Sequence, residues 1–363
     1  MNVRDLLRAW VSVLAGRVPS MSIEITRECP LRCPGCYAYG ADHLGGSVQL
    51  RQMHDYQGKD LVDGILRLVD RHKPLHVSLV GGEPLVRFRE LSILLPELAA
   101  RGLSVQVVTS AVRPIPSEWR RIRRLRISVS VDGLQPEHDA RRAPATYDRI
   151  LRNIIGHRIT VHCTITRQMT GKPGYLREFV DFWSRRPEVE KIWMSIFTPQ
   201  KGESSIEILP DDARREAIDE LLELRRRYAK LELPPRLLEV YRQPPANPGE
   251  CMFAQTTECI SSDLTRRITP CQFGGNPDCS RCGCMASAAM EAVGRQPLPM
   301  GIRVVQIYRL SARIGSWVAG LRNRAGRDLR MSAPGFSASR LAGSPLELDR
   351  LREEGGRMAG QEE

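Results

Sequence analysis

The chain has 363 residues, 42% of them apolar, a formal charge of +12 at pH 7 and a pI near 9.5. That length fits a core of roughly 200 residues plus a smaller C-terminal module. No run of 18 apolar residues occurs, which excludes a spanning helix, and residues 5–15, broken by Asp5 and Arg8, read as an N-terminal helix rather than a signal peptide. The ten cysteines fall in two tight clusters and one single, a pattern of metal binding in a reducing cytoplasm rather than of disulfides. The positive charge suits nucleic acid, an anionic membrane surface or an acidic redox partner. The arginines are spread through helical stretches, and most of them read as solvated surface.

In chain order, residues 22–26 alternate and predict a first strand. Leu61, Ile65, Leu66, Leu68 and Val69 have helical spacing. A strand at 76–80 and a helix at 88–100 follow, then a Val-rich strand at 103–109. Ser117 is expected to cap a short basic helix ending near Arg124. Strands are expected at 126–131, 157–166 and 191–197, and helices at 146–155 and 175–184. Six strand–helix units predict an α/β fold: a parallel sheet curled into a partial (β/α)6, TIM-like barrel. Active sites of such barrels lie at the C-terminal strand ends. The expected layout is an N-terminal helix at 1–20, the barrel at 21–200, a helical linker at 201–250 and a cysteine-rich module at 251–295. An amphipathic segment at 296–325 and a disordered tail at 326–363 complete it.

The loop after the first strand carries Cys29, Cys33 and Cys36 at C-x3-C-x2-C spacing. Thiolates suit iron–sulfur clusters or zinc. A cubane takes four ligands, so three cysteines leave one iron open for chemistry. On this motif alone a structural zinc loop stays open as the alternative. The second strand runs into Gly81-Gly82-Glu83-Pro84, where glycines let backbone approach a ligand. The third ends at Thr109-Ser110, whose hydroxyls either bond a ligand or cap a turn. The fourth gives Ser130 in Ser-Val-Asp-Gly, then His138-Asp139-Ala140-Arg141-Arg142.

Together these residues resemble the radical S-adenosylmethionine (SAM) enzymes, over residues 21 to about 290. The resemblance implies that the open iron of a 4Fe-4S cluster on Cys29, Cys33 and Cys36 chelates the amino and carboxylate groups of SAM. Reductive cleavage then gives a 5′-deoxyadenosyl radical that abstracts hydrogen from a substrate. Tyr37 matches the aromatic residue that follows the third cysteine in that family. Gly81, Gly82, Glu83 and Pro84 match its loop for the SAM amino group. Ser110 matches a polar residue at the ribose or carboxylate. Ser130 and Arg142 match the carboxylate holders, with Arg142 in better register than Arg141. Ala143 stands where the family often has Gly.

Cys251, Cys259, Cys271, Cys279, Cys282 and Cys284 follow the barrel, with 259–271 reading as a hairpin bearing a cysteine at each end. Thiolates this close favour a metal. The arrangement resembles the SPASM or twitch modules that hold auxiliary 4Fe-4S clusters, although the last cysteines are packed more tightly. Cys259, Cys271 and two of Cys279, Cys282 and Cys284 are the expected ligands; structural zinc is the alternative. Cys163 reads as core. The His54, His72, His76 and His157 positions suggest no site.

The enzyme expected from the resemblance is a radical SAM oxidoreductase or transferase, acting in peptide or natural-product maturation, or alternatively on a lipid or isoprenoid. It implies a low-potential electron donor, flavodoxin or ferredoxin, and an acidic one suits the basic surface. A different class, a zinc protein binding nucleic acid, explains cysteines and charge but not GGEP, Ser130 and Arg142 at successive strand ends, so no nucleic acid is expected. Ile307, Leu310, Ile314, Trp317, Val318 and Leu321 form one apolar face with Arg309 and Arg313 on another. Docking of that face on the protein's own core is the favoured reading, and contact with a membrane surface the other. Gly315 and Gly320 weaken the helix.

Overall fold

The computed structural model describes residues 10–46, 48–298 and 301–331. They cluster in two compact units that divide between Val318 and Ala319. In the first, seven parallel strands form one open sheet of order β6-β5-β4-β3-β2-β1-β7. The strands are β1 (Ser20–Glu24), β2 (His76–Val80), β3 (Ser104–Thr109), β4 (Leu125–Ser130), β5 (Ile159–Ile165), β6 (Val189–Ile196) and β7 (Thr257–Ile260). The expected partial barrel is therefore present, with a seventh strand added on the far side of β1.

Side chains alternate across this sheet as a two-residue period requires. Met21, Ile23, Val77, Leu79, Val107, Val129 and Val161 have no exposed surface and pack into the main core. The helices Gly58–His72, Phe88–Ala100 and Tyr175–Ser184 supply the other side of that core, through Ile65, Leu95 and Phe179 among others. The intervening positions form a polar row: Ser22 pairs with Ser78 and Ser78 with Gln106, Ser128 with Thr160, and Ser130 with His162. A parallel sheet covered on both faces is ordinarily apolar on both. The polar row marks the concave face as one built for a ligand rather than for packing.

Several sequence expectations need correction. The short basic helix is a 3-10 segment, Ser117–Arg121, following Pro116 and without a side-chain cap. Within the expected helical linker at 201–250, Pro235–Arg242 is a helix packed into the core, burying Leu237, Leu238, Val240 and Tyr241. Its prolines sit at the first turn, where the missing N–H costs nothing. Of the expected N-terminal helix, residues 10–14 are helical and 1–9 lie outside the described residues. The amphipathic segment is the helix Val304–Met331, so residues 326–331, expected in the disordered tail, are helical; 332–363 lie outside the described residues. Arg, Leu and Ala are good helix formers and carry the helix past Gly320 and Gly326.

The face by which that helix docks also differs from expectation. Ser311 is buried, Tyr308 donates its hydroxyl to the Gln255 carbonyl at 2.9 Å, and a Cβ on Gly315 would lie 2.1 Å from the Val13 carbonyl oxygen. Leu310, Ile314 and Trp317 face outward. The glycine that weakens the helix as a sequence is what lets the two backbones touch.

Candidate active site

The cysteine loop leaves β1 at its C-terminal end and is rooted by a charged knot. Thr26 Oγ1 donates to Asp55 Oδ2 (3.1 Å) and the Arg27 amide to Asp55 Oδ1 (2.9 Å). The buried Arg87 guanidinium binds Asp55 and Glu28. Leu31 is buried, which pins the loop between Cys29 and Cys33. Gly35 has φ +62°, and a Cβ there would sit 2.8 Å from the Phe197 ring at the end of β6. Cys33 and Cys36 raise the pKa of Cys29, and Cys33 raises that of Cys36. Burial, the larger effect, pushes Cys29 up to about 12 and also raises Cys33 and Cys36. Coordination reverses that direction, because a cation deprotonates its thiols outright.

Gly81 and Gly82 lie directly against the root of this loop. A Cβ on Gly82 would stand 2.0 Å from the Glu28 carbonyl oxygen, and one on Gly81, at φ +102°, 2.8 Å from Glu24 Cα. The Gly82 and Glu83 amides donate to the Thr26 and Glu28 carbonyls at 2.9 and 2.8 Å. The buried Glu83 carboxylate is bonded internally, by the Leu85 and Ser110 amides and by the Thr109 and Ser110 hydroxyls. Pro84 opens the 3-10 segment Pro84–Arg87, which Glu83 caps. Ser110 thus spends its proton on Glu83; its lone pairs remain as acceptors.

Asp132 organises the other side. Its Oδ2 accepts from Arg142 Nε (2.7 Å) and Arg141 Nε (3.0 Å), and its Oδ1 from the Thr164 amide (3.1 Å). Burial alone would raise this carboxyl, but the Arg142 and Arg141 guanidiniums hold it well below the usual carboxylate range. Arg142 faces Cys33 and Cys36, whose charges with that of Asp132 raise its pKa against the effect of burial. Its two terminal nitrogens make no hydrogen bond among the described residues. Arg141 instead bridges Asp132 and Glu207. His138 is structural: Nδ1 accepts from the Asp132 amide and Nε2 bonds the Ala145 carbonyl.

Sequence reasoning missed His162 and the Glu24–His43 pair, and named Cys251 without choosing it as a ligand. His162, opposite Ser130 in the polar row, bonds Ser195 Oγ at 2.8 Å. Burial lowers its pKa to about 4, so it stands neutral beside Asp132 and Arg142. Its alternation with the core residue Cys163 was the available signal. Glu24 and His43 form a fully buried pair (2.8 Å), and His43 Nδ1 bonds the Phe273 carbonyl at 2.9 Å while Ser261 donates to Glu24 at 3.2 Å. Cys251, left out of the expected ligands, raises the pKa of Cys271, Cys279 and Cys282 by its proximity.

The second cysteine set lies beside the first. Cys259 is on β7, opposite Ser22 of β1, and feels Cys284; Cys284 feels Cys282 and Cys271. Burial pushes Cys259 up to about 12, Cys279 up to about 11, and Cys271, Cys282 and Cys284 up as well. The Tyr37 ring packs on His43 (5.6 Å) and edge-on to Phe273 (5.4 Å), within the influence of Cys36, Cys259 and Cys284. Tyr37 therefore stands between the two sets. Among the described residues, no three His, Cys, Asp or Glu side chains already surround a common point as metal ligands. The donor chemistry nonetheless fits soft-metal clusters: three neighbouring thiols in one loop and six in the other set.

A search of the curated proteins finds no significant relative. Among solved structures, the chain is similar to SuiB of Streptococcus suis bound to precursor peptide SuiA, at TM-score 0.51 and 15% identity over 71% of this chain and 61% of SuiB. The structure of SuiB bound to S-adenosylmethionine matches at TM-score 0.51 and 17% identity, over 71% and 62%. The AdoMet-bound anSMEcpe gives TM-score 0.47 and 13% identity over 84% and 97%. The chain thus spans about 61% of the length of SuiB, and the likeness is one of fold. Residues 23–182, which run from the end of β1 through β5 and hold the three-cysteine loop, GGEP and Arg142, match the model of the Radical SAM superfamily.

Proposed function

We propose that the protein is a radical SAM enzyme that cleaves SAM and takes a hydrogen atom from a peptide substrate. The observation that supports the SAM reading is the match of residues 23–182 to the Radical SAM superfamily model, together with an Arg142 guanidinium bonded to Asp132 and within the electrostatic influence of Cys33 and Cys36. Cys29, Cys33 and Cys36 would hold a 4Fe-4S cluster. That group supplies one electron to the sulfonium of SAM, so that the C5′–S bond breaks to methionine and a 5′-deoxyadenosyl radical, which leaves as 5′-deoxyadenosine on gaining substrate hydrogen. Arg142 and Ser130 would hold the SAM carboxylate, the guanidinium through its terminal nitrogens. Glu83, locked by Thr109 and Ser110, holds the Gly81–Gly82 backbone against the amino group. Tyr37 packs the floor of the loop. Neutral His162 and Ser195 face the concave side without adding charge, which suits a substrate radical of no fixed charge.

In the second set, four of Cys251, Cys259, Cys271, Cys279, Cys282 and Cys284, Cys251 among them, would hold an auxiliary 4Fe-4S cluster. An acidic low-potential protein, flavodoxin or ferredoxin in type, would supply the electron. The peptide reading is supported by a relative in fold, SuiB, seen with a precursor peptide. Oxidoreductase or transferase outcomes both follow from the same radical.

The test is dithionite-driven formation of 5′-deoxyadenosine. Cys33→Ala leaves two thiols in the loop and is expected to abolish it. Undiminished product from that variant would remove the assignment.

A further inference from the structure

We propose that the exposed face of the helix Val304–Met331 seats the protein on an anionic lipid surface. Leu310, Ile314 and Trp317 are 60%, 44% and 67% exposed, three of the few large apolar side chains so placed. At about 100° per residue they occupy one arc roughly 60° wide. Arg309 and Arg313, also exposed, lie along one edge of that arc. The opposite side of the helix is already satisfied by Tyr308, buried Ser311 and the close contact at Gly315. The apolar stripe is therefore surplus to folding. The helical turn at 10–14, packed there through Val13, adds exposed Val11 and Leu14.

Charge identifies the occupant. Residues 302–327 contain six arginines and no acidic residue. A protein groove for an apolar helix face has no need of such one-signed charge, whereas an anionic bilayer matches it. Arginine and tryptophan both settle at headgroup depth, the one through its guanidinium and the other through its amphipathic ring. Beside the stripe, a cleft of about 360 Å³ is lined by Gly249, Gln255, Arg309, Ala312 and Arg313. Arg309 is braced there by a bond to the Glu250 carbonyl at 3.3 Å. Two guanidiniums at the mouth of a cleft suit a phosphate headgroup. The helix lies on the surface rather than through it, since no helix among the described residues is long and apolar enough to cross a membrane. The inference does not rest on the chemistry at the cysteine loop.

The test is flotation of the full chain with phosphatidylcholine vesicles, with and without phosphatidylglycerol. The protein is expected to float with the anionic vesicles and roughly tenfold more weakly, or not at all, with the neutral ones. Trp317→Ser combined with Leu310→Ser is expected to lower binding by about tenfold or more. Arg309→Gln with Arg313→Gln is expected to erase the preference for phosphatidylglycerol. All four side chains are exposed, so an unchanged melting curve shows that the fold survives. Equal binding to both vesicles, no binding, or binding indifferent to these substitutions would overturn the proposal. So would lipid-free self-association that the Trp317→Ser, Leu310→Ser variant abolishes, because the occupant would then be a second copy.

Discussion

Arg141 and Arg142 both reach Asp132 Oδ2, at 3.0 and 2.7 Å, but Arg141 also commits a terminal nitrogen to Glu207 and Arg142 commits neither of its own. Arg141 is closed between Asp132 and Glu207, whereas the terminal nitrogens of Arg142 make no hydrogen bond among the described residues and its pKa is raised by Cys33 and Cys36. Under the SAM reading, Arg142→Ala is expected to weaken SAM binding by roughly tenfold or more, the worth of one forked charged pair. Arg141→Ala is expected to weaken it far less. The reverse order in a binding titration would place the carboxylate on the wrong arginine. The Glu24–His43 pair makes a second residue-scale prediction. Burial, the largest single effect, lowers the His43 pKa, but the hydrogen bond and charge of Glu24 and the bond to the Phe273 carbonyl together outweigh it, and the net value is raised. A raised folded pKa means that the stabilisation is complete below the unfolded value of about 6.5 and is lost as pH rises through the folded value. The denaturation midpoint of the wild type should therefore fall more steeply above about pH 6.5 than that of His43→Gln. Parallel curves would show that His43 is neutral in the folded protein.

At the scale of elements, the strands β1 to β6 were legible because each is an apolar or alternating run bounded by turn residues. The order of strand ends bearing Cys29, Gly81, Ser110, Ser130 and Arg142 followed from them. Two elements were not legible, for one physical reason: their identity is set by distant partners. The four residues of β7 have no periodicity of their own and become a strand because β1 offers an unpaired edge. The helix Pro235–Arg242 reads as a proline-rich connector until Tyr241 reaches the Met194 carbonyl at 2.7 Å. The same dependence governs the stretch Cys282-Gly283-Cys284. The Ile196 amide donates to the Gly283 carbonyl (2.9 Å), the Gly283 amide to Thr198 Oγ1 (2.9 Å), and Arg214 to the Cys282 and Tyr241 carbonyls (2.8 and 2.9 Å). A Cβ on Gly283 would stand 2.2 Å from the Ile196 carbonyl oxygen. Gly283→Ala must push the module off β6, at about 1–3 kcal/mol for an overpacked contact. Chemical denaturation is expected to show that loss, with metal at the second cysteine set reduced and metal at Cys29, Cys33 and Cys36 retained. Unchanged stability would mean that the strand end and the module are not tightly joined.

For the whole molecule the question is how ten cysteines divide. Cys163 is fully buried on the core side of β5, remote in role from either set. Three serve the loop, which leaves six, and sequence spacing favoured five of these. The folded chain brings Cys251 back to the group: Cys271, Cys279 and Cys282 each feel its charge, and its sulfur bonds Ser287 at 3.2 Å. Its position at the start of the short helix Met252–Thr256, eight residues before Cys259, concealed this. Two four-iron clusters require about eight irons and eight sulfides per chain after anaerobic reconstitution. Cys163→Ser is expected to leave that number unchanged. Cys251→Ser is expected to lower iron toward about half while 5′-deoxyadenosine formation from SAM persists, because the cluster at the loop is untouched. Full iron in the Cys251→Ser protein would remove Cys251 from the ligands and return the choice to Cys259, Cys271, Cys279, Cys282 and Cys284. About four irons with one zinc in the wild type would make the second set a structural clamp on β1 and β6 rather than a redox centre.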